Sequence, residues 1–64
     1  MEINFNKIRY HRIKKGMTLN ELAIKTELSK GYLSHLETGS RNNPSLETMI
    51  KIANVLEEDI GNLF

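Results

Sequence analysis

The apolar residues of this chain recur at helical spacing in separate segments, with polar or glycine-containing stretches between them. In one segment the recurrence follows positions i, i+3, i+4 and i+7, which is typical of one buried helix face. The residues on this stripe are Leu19, Leu22, Ala23 and Thr26, with Leu28 just beyond. Thr18 precedes the stripe and Glu21 follows three residues later, a spacing that predicts a capping box at the start of the helix.

A second short helix is predicted directly after the first. Ser29 is a good N-cap residue, and Leu33 and Leu36 form an inner face over Lys30 to Glu37. Gly39 supplies the left-handed residue that commonly ends a helix. Because Ala23 is small, two helices can cross closely there. The pattern over residues 19–38 therefore predicts a helix-turn-helix unit.

The segments on either side of this unit also predict helices. A helix is expected from about Asn4 to Lys15, closed by Gly16, and its apolar stripe comprises Phe5, Ile8, Arg12 and Ile13. After a polar loop, Pro44 disfavours a helical Asn43, so the next helix must start beyond it, with Ser45 as its cap. The apolar face of that helix comprises Leu46, Met49, Ile50, Ala53 and Leu56.

A last short helix can be capped by Asp59 and ends at Leu63 and Phe64. Five helices without a strand signal predict an all-α fold, and 64 residues allow one domain, 1–64. The chain has no cysteine, which excludes disulfides and thiolate zinc sites. It shows neither a signal-peptide pattern nor an apolar run long enough to span a membrane, so we expect a soluble cytoplasmic protein.

Charge is distributed unevenly along the chain. Residues 1–32 contain seven basic and three acidic residues, whereas residues 33–64 contain two basic and five acidic ones. A basic half would suit contact with phosphate, although solvated helix faces would give the same pattern. The only histidines, His11 and His35, have no nucleophile or carboxylate at motif spacing. We therefore expect no enzyme, no metal, no cofactor and no small-molecule effector.

The order and spacing of the motifs resemble the Cro and repressor type of helix-turn-helix, the Xre family, over nearly the whole chain. The motifs are Ile8-Arg9 with Arg12, Gly16-Met17-Thr18, Glu21-Leu22-Ala23, Leu28-Ser29, Leu33-Ser34, Leu36-Glu37 with Gly39, Pro44-Ser45-Leu46, Ile52-Ala53 and Leu56. Within the family, Lys30-Gly31-Tyr32-Leu33-Ser34 and Asn43-Pro44-Ser45 are most similar to SinR-like regulators of Gram-positive bacteria. The resemblance implies a five-helix, lambda-repressor-like domain. It also implies a sequence-specific regulator that binds double-stranded DNA as a dimer, at a palindromic operator, and acts mainly as a repressor.

In such a regulator the second helix of the unit enters the major groove. The candidates for base contacts are then Lys30, Gly31, Tyr32, Ser34 and His35. Lys30 can donate to guanine O6 and N7, while Tyr32 could instead be a partly buried wedge. Gly31 either permits close approach of the backbone to DNA or simply makes no base contact. The simpler alternative for Lys30 and His35 is ordinary surface exposure.

Phosphate contacts are implied at the helix starts and in the loop before Pro44. The candidates are Thr18, Asn20, Ser29, Arg41, Asn42 and Asn43. The alternative for the loop, which begins at Ser40, is a solvated turn. Arg12 and Glu37 resemble the family's structural ion pair between the first helix and the end of the recognition helix.

The chain departs from the family pattern at several positions. Leu19 replaces a common glutamine, Glu27 replaces the turn glycine, and Glu57 and Glu58 replace a glycine and an apolar residue. These changes leave open a second function, a protein-interaction module that kept the fold but lost DNA binding. Ile60, Leu63 and Phe64 could form a homodimer contact or belong to the core.

Overall fold

Each predicted helix is present in the computed structural model, which describes residues 6–39 and 44–64. The helices are α1 (Asn6–Lys14), α2 (Leu19–Thr26), α3 (Lys30–Thr38), α4 (Leu46–Leu56) and α5 (Ile60–Leu63). The described residues contain no strand, so the all-α prediction is confirmed. None of these helices is long and apolar enough to cross a membrane.

All five helices contribute to one hydrophobic core. α3 packs against α1 and α2, α4 packs against α2 and α5, and α5 contacts α1. This arrangement surrounds a small set of side chains that are buried almost completely. They are Ile8, Leu22, Ala23, Leu33, Leu36, Ile52, Ala53, Leu56 and Leu63.

The helix starts follow the predicted caps. Thr18 and Glu21 form the complete capping box, and the hydroxyl of Ser45 accepts the amide of Thr48. Asp59 occupies the N-cap position of α5, but the prediction that its side chain caps the helix is wrong. The backbone carbonyl of Asp59 instead accepts the amide of Asn62 at 2.9 Å, and the Asn62 side chain donates to Glu58 at 3.1 Å.

Three residues placed on apolar stripes by the sequence are exposed. Ile13 is 53% exposed because, at 100° per residue, it lies about 140° around α1 from buried Ile8. Leu46 and Ile50 are 62% and 42% exposed, since they lie on the flank of α4 while Ile52, absent from the predicted stripe, is fully buried. The predicted positions Asn4 and Phe5 lie outside the described residues.

The two helix ends that lack the family's glycine have the same backbone geometry. Glu27 has φ 61° and ψ 31°, and Glu57 has φ 58° and ψ 44°, both left-handed. In each case the next amide, of Leu28 or Glu58, donates to the carbonyl five residues back. The turns therefore keep the shape that glycine favours and tolerate the strain of a side chain.

Glu57 differs from Glu27 in having an ion-pair partner. The ammonium of Lys15 donates to a Glu57 carboxylate oxygen at 2.8 Å. This hydrogen bond, together with the charge of Lys15, lowers the pKa of the Glu57 carboxyl. No ion pair to another described residue holds the Glu27 side chain.

Replacing Glu27 with glycine is expected to stabilise the protein. A left-handed non-glycine residue costs roughly 1 to 2 kcal/mol, and the greater flexibility of glycine in the unfolded chain offsets part of the gain. We expect a net gain of about 0.5 to 1 kcal/mol, or a rise in Tm of a few degrees by thermal melting. Glu57→Gly is the matched control and should gain less, because it also removes the pair with Lys15. A fall in Tm for Glu27→Gly would contradict this account.

Candidate nucleic-acid interface

The start of α2 is closed by its own capping box. The hydroxyl of Thr18 accepts the amide of Glu21 at 3.0 Å, and the carboxylate of Glu21 accepts the amide of Thr18 at 2.8 Å. The amide of Thr18 is therefore engaged inside the protein. The next amides, of Leu19 and Asn20, have no acceptor within the helix and can face an anion.

The start of α3 is built in a similar way. The hydroxyl of Ser29 accepts the amide of Tyr32 at 3.0 Å, which leaves the hydroxyl proton available for donation. Thr18, Asn20 and Ser29 are all exposed, so their polar groups reach solvent at the starts of α2 and α3. The predicted loop contacts, Arg41, Asn42 and Asn43, lie outside the described residues, as does Ser40.

The outward face of α3 is polar. Lys30, Gly31 and His35 are exposed on it, and Ser34 is half-buried at its edge. Thr38 is exposed on the same face, seven residues after Gly31. The sequence pattern did not predict Thr38 on this face, because the predicted helix ends at Glu37, one residue earlier. The i, i+7 spacing from Gly31 places Thr38 on the same face once the helix is extended to it.

Tyr32 stands apart from the other base-contact candidates. It is half-buried and packs against the hydrophobic core, next to the helix face that carries Leu33 and Leu36. Its ring therefore helps to seat α3 on the rest of the molecule. The polar face of α3, which we define as Lys30, Gly31, Ser34, His35 and Thr38, does not include it.

Arg12 fixes the position of α3 relative to α1 and to the start of α2. Its guanidinium donates to both carboxylate oxygens of Glu37, Nε to Oε2 at 2.8 Å and Nη2 to Oε1 at 3.1 Å. Nη1 donates to the carbonyl of Met17 at 2.9 Å. The side chains of Arg12 and Glu37 are only 11% and 6% exposed. The sequence did not predict the contact with Met17, because the acceptor is a backbone carbonyl and every residue has one.

Other charged residues in the last turn of α1 belong to a different surface from that of Arg12. His11 approaches Glu58 at 3.5 Å, and Lys14 lies 5.6 Å from the centre of the Tyr10 ring. A shallow groove of about 270 Å³ lies between these groups and the end of α4. Among the described residues, no group of three or more histidine, aspartate or glutamate side chains is arranged to hold a metal ion.

A family model described as helix-turn-helix matches residues 8–63. The chain belongs to the helix-turn-helix family. The transcriptional regulator SlrR of Bacillus subtilis is 40% identical over 57 residues, which are 89% of this chain and 38% of SlrR. The regulator SinR of the same organism is 37% identical over 57 residues, 89% of this chain and 51% of SinR. This helix-turn-helix chain thus spans about half or less of the length of these relatives.

The helix-turn-helix fold is also that of a solved SinR structure. A crystal structure of SinR, described as the master regulator for biofilm formation, in complex with DNA has a TM-score of 0.89 to this chain at 34% identity. The match covers 95% of this chain and 97% of that chain. These findings confirm the resemblance to Xre-type, SinR-like domains that the motifs predicted.

Proposed function

We propose that this chain is a sequence-specific, double-stranded DNA-binding transcriptional regulator. The observation that carries the proposal is the exposed polar face of α3, on a fold closely similar to that of SinR in its complex with DNA. α3 is the recognition helix and lies in the major groove. SlrR and SinR are named as transcriptional regulators, and the role proposed for this chain is to bind DNA in such a regulator.

In this proposal the polar face of α3 meets base edges. Lys30 donates to guanine O6 and N7, and Ser34 and His35 reach the bases one turn further along. Gly31 offers only backbone, and Tyr32 has little freedom because it packs on the core. Phosphates are held by the hydroxyls of Thr18 and Ser29, the amides at the start of α2, Asn20, and the loop residues Arg41, Asn42 and Asn43.

Action as a repressor at a palindromic operator is the finer part of the proposal. Two copies would address half-sites about one helical turn apart. Leu63 is 2% exposed and belongs to the core, which is the alternative that the sequence left open, so it offers almost no surface to a second copy. Phe64, 40% exposed, and half-buried Ile60 remain the residues through which two copies would meet on DNA.

The test of the proposed function is selection from a random duplex pool, with sequencing of the bound fraction at two salt concentrations. A regulator should enrich one motif at both, and a palindrome would reveal the half-site spacing. The logarithm of the binding constant should fall linearly with the logarithm of the salt concentration, with a slope set by the number of phosphates contacted. Absence of any enriched motif would contradict the proposal.

Lys30→Ala should weaken binding to the enriched duplex by roughly 5- to 150-fold and relax the preference at one base pair, since it removes a base contact. Fluorescence anisotropy on the duplex and its single-base variants would measure both effects. Lys14→Ala is the matched control, because it removes the same charge from the exposed face of α1. It should lower affinity only slightly and equally for all sequences. An unchanged base preference in Lys30→Ala would remove Lys30 from base recognition.

A protein-interaction module is the second candidate, and one observation favours it. Tyr10 and Ile13, three residues apart on α1, are 58% and 53% exposed, between the exposed side chains of Arg9 and Lys14. Exposed apolar side chains grouped in this way are found on protein contact surfaces. Binding to duplex that is blind to sequence, and lost as salt rises, would favour this alternative.

A further inference from the structure

Gly31 is not required by the fold of the free chain. It is the second residue of α3 and is exposed in the middle of the polar face. A Cβ added at Gly31 would meet nothing within 4 Å, and its φ is not positive. Neither crowding nor backbone conformation therefore demands glycine at this position.

The glycine nevertheless weakens the helix that carries the proposed reading surface. Glycine has a lower helix propensity than alanine because its unfolded backbone has more freedom to lose. α3 is only nine residues long, so its first turn is sensitive to such a change. The free chain thus gives no reason for glycine at this position, whereas a partner that approaches α3 from outside would supply one.

The backbone beneath Gly31 is what such a partner would meet. Helical side chains lean toward the helix start, so a side chain at position 31 would cover the first turn of α3. The hydroxyl of Ser29 engages the amide of Tyr32, while the amides of Lys30 and Gly31 have no acceptor within the helix. Without a side chain at position 31, this turn presents its backbone directly to the partner.

We infer that Gly31 is a clearance position: it lets the first turn of α3 approach the duplex closely enough for Lys30 to reach a base edge. This inference rests on the proposed function. Gly31 is a positioning residue that reads no base by itself and acts through its neighbour. The sequence left two possibilities for Gly31, close approach of the backbone to DNA or simply no base contact, and this inference favours close approach.

The test compares Gly31→Ala with the wild-type chain on the duplex that the wild type enriches. The variant should have a higher Tm, because alanine favours the helix, and roughly tenfold weaker DNA binding, because the methyl group holds the helix away. Gly61→Ala is the matched control, since Gly61 is also the second residue of a helix and also has open surroundings. It should bind DNA like the wild type.

A double-mutant cycle with Lys30→Ala tests how Gly31 acts. If clearance serves Lys30, the loss caused by Lys30→Ala should be several-fold smaller when alanine already occupies position 31. Equal losses in both backgrounds would overturn the link to Lys30. Wild-type affinity in Gly31→Ala, or a lowered Tm, would overturn the clearance role. A wild-type chain that enriches no duplex would instead overturn the proposed function, so the two failures are distinguishable.

Discussion

Glu37→Ala is expected to lower the free energy of unfolding by roughly 3 to 5 kcal/mol, because it leaves the largely buried guanidinium of Arg12, 11% exposed, without its carboxylate partner. A domain of this size has a total stability of about 3 to 10 kcal/mol. The expected loss is therefore a large fraction of this total, and a parent stability near the low end of the range would leave the variant partly unfolded at about 25 °C. Urea denaturation followed by circular dichroism would measure the loss.

The double variant Arg12→Met/Glu37→Leu separates the charge from the packing. It removes both charges and keeps similar volume, so it should recover most of the stability that the single variant loses. It also loses the hydrogen bond from Arg12 to the carbonyl of Met17, which limits the recovery. A single variant that loses less than about 1 kcal/mol would show that the pair is not held as the structure describes it.

Leu56→Ala should cost about 3 kcal/mol, whereas Leu46→Ala on the same helix should cost about 0.5 kcal/mol or less. Leu56 is fully buried and its truncation leaves a cavity, while Leu46 is 62% exposed. Both changes remove the same atoms from α4, so propensity effects are nearly matched. The midpoints of urea denaturation at pH 7 give the comparison.

This pair of variants also distinguishes the tertiary structure from the sequence pattern. The apolar spacing placed Leu46 and Leu56 on one buried face, which would make the two losses similar. Equal losses would mean that Leu46 is covered in the folded protein. A large loss at Leu56 alone would support the packing of α4 described above.

The helix limits could be predicted because their signals are local. The hydroxyl caps at Thr18, Ser29 and Ser45 each bond to a backbone amide three residues away, so the sequence spacing alone specifies the contact. Gly39 likewise takes the left-handed conformation that ends α3. The cap at Asp59 failed because a four-residue helix can be held by its backbone and by Glu58 instead.

The candidate site was only partly predictable. The motif spacing brought Lys30, Gly31 and His35 to one face of α3, and their contacts with DNA stay predictions. Tyr32 was grouped with them because it is adjacent in sequence. Its half-burial depends on which side of α3 meets the core, and a helical period alone does not fix that.

Local residue patterns were enough to predict the helices of this chain, the caps at Thr18, Ser29 and Ser45, and the order of motifs typical of its family, because these features depend on residues within a few positions of one another. Which apolar residues are covered and which charges meet depends on how the helices pack. Ile13, Leu46 and Ile50 are exposed because none of the helices in the described part of the chain covers them. Arg12 reaches both Glu37 and the Met17 carbonyl because three helices converge there. Burial and long-range pairing follow from helix packing, which depends on residues far apart in the sequence and cannot be predicted from a local pattern.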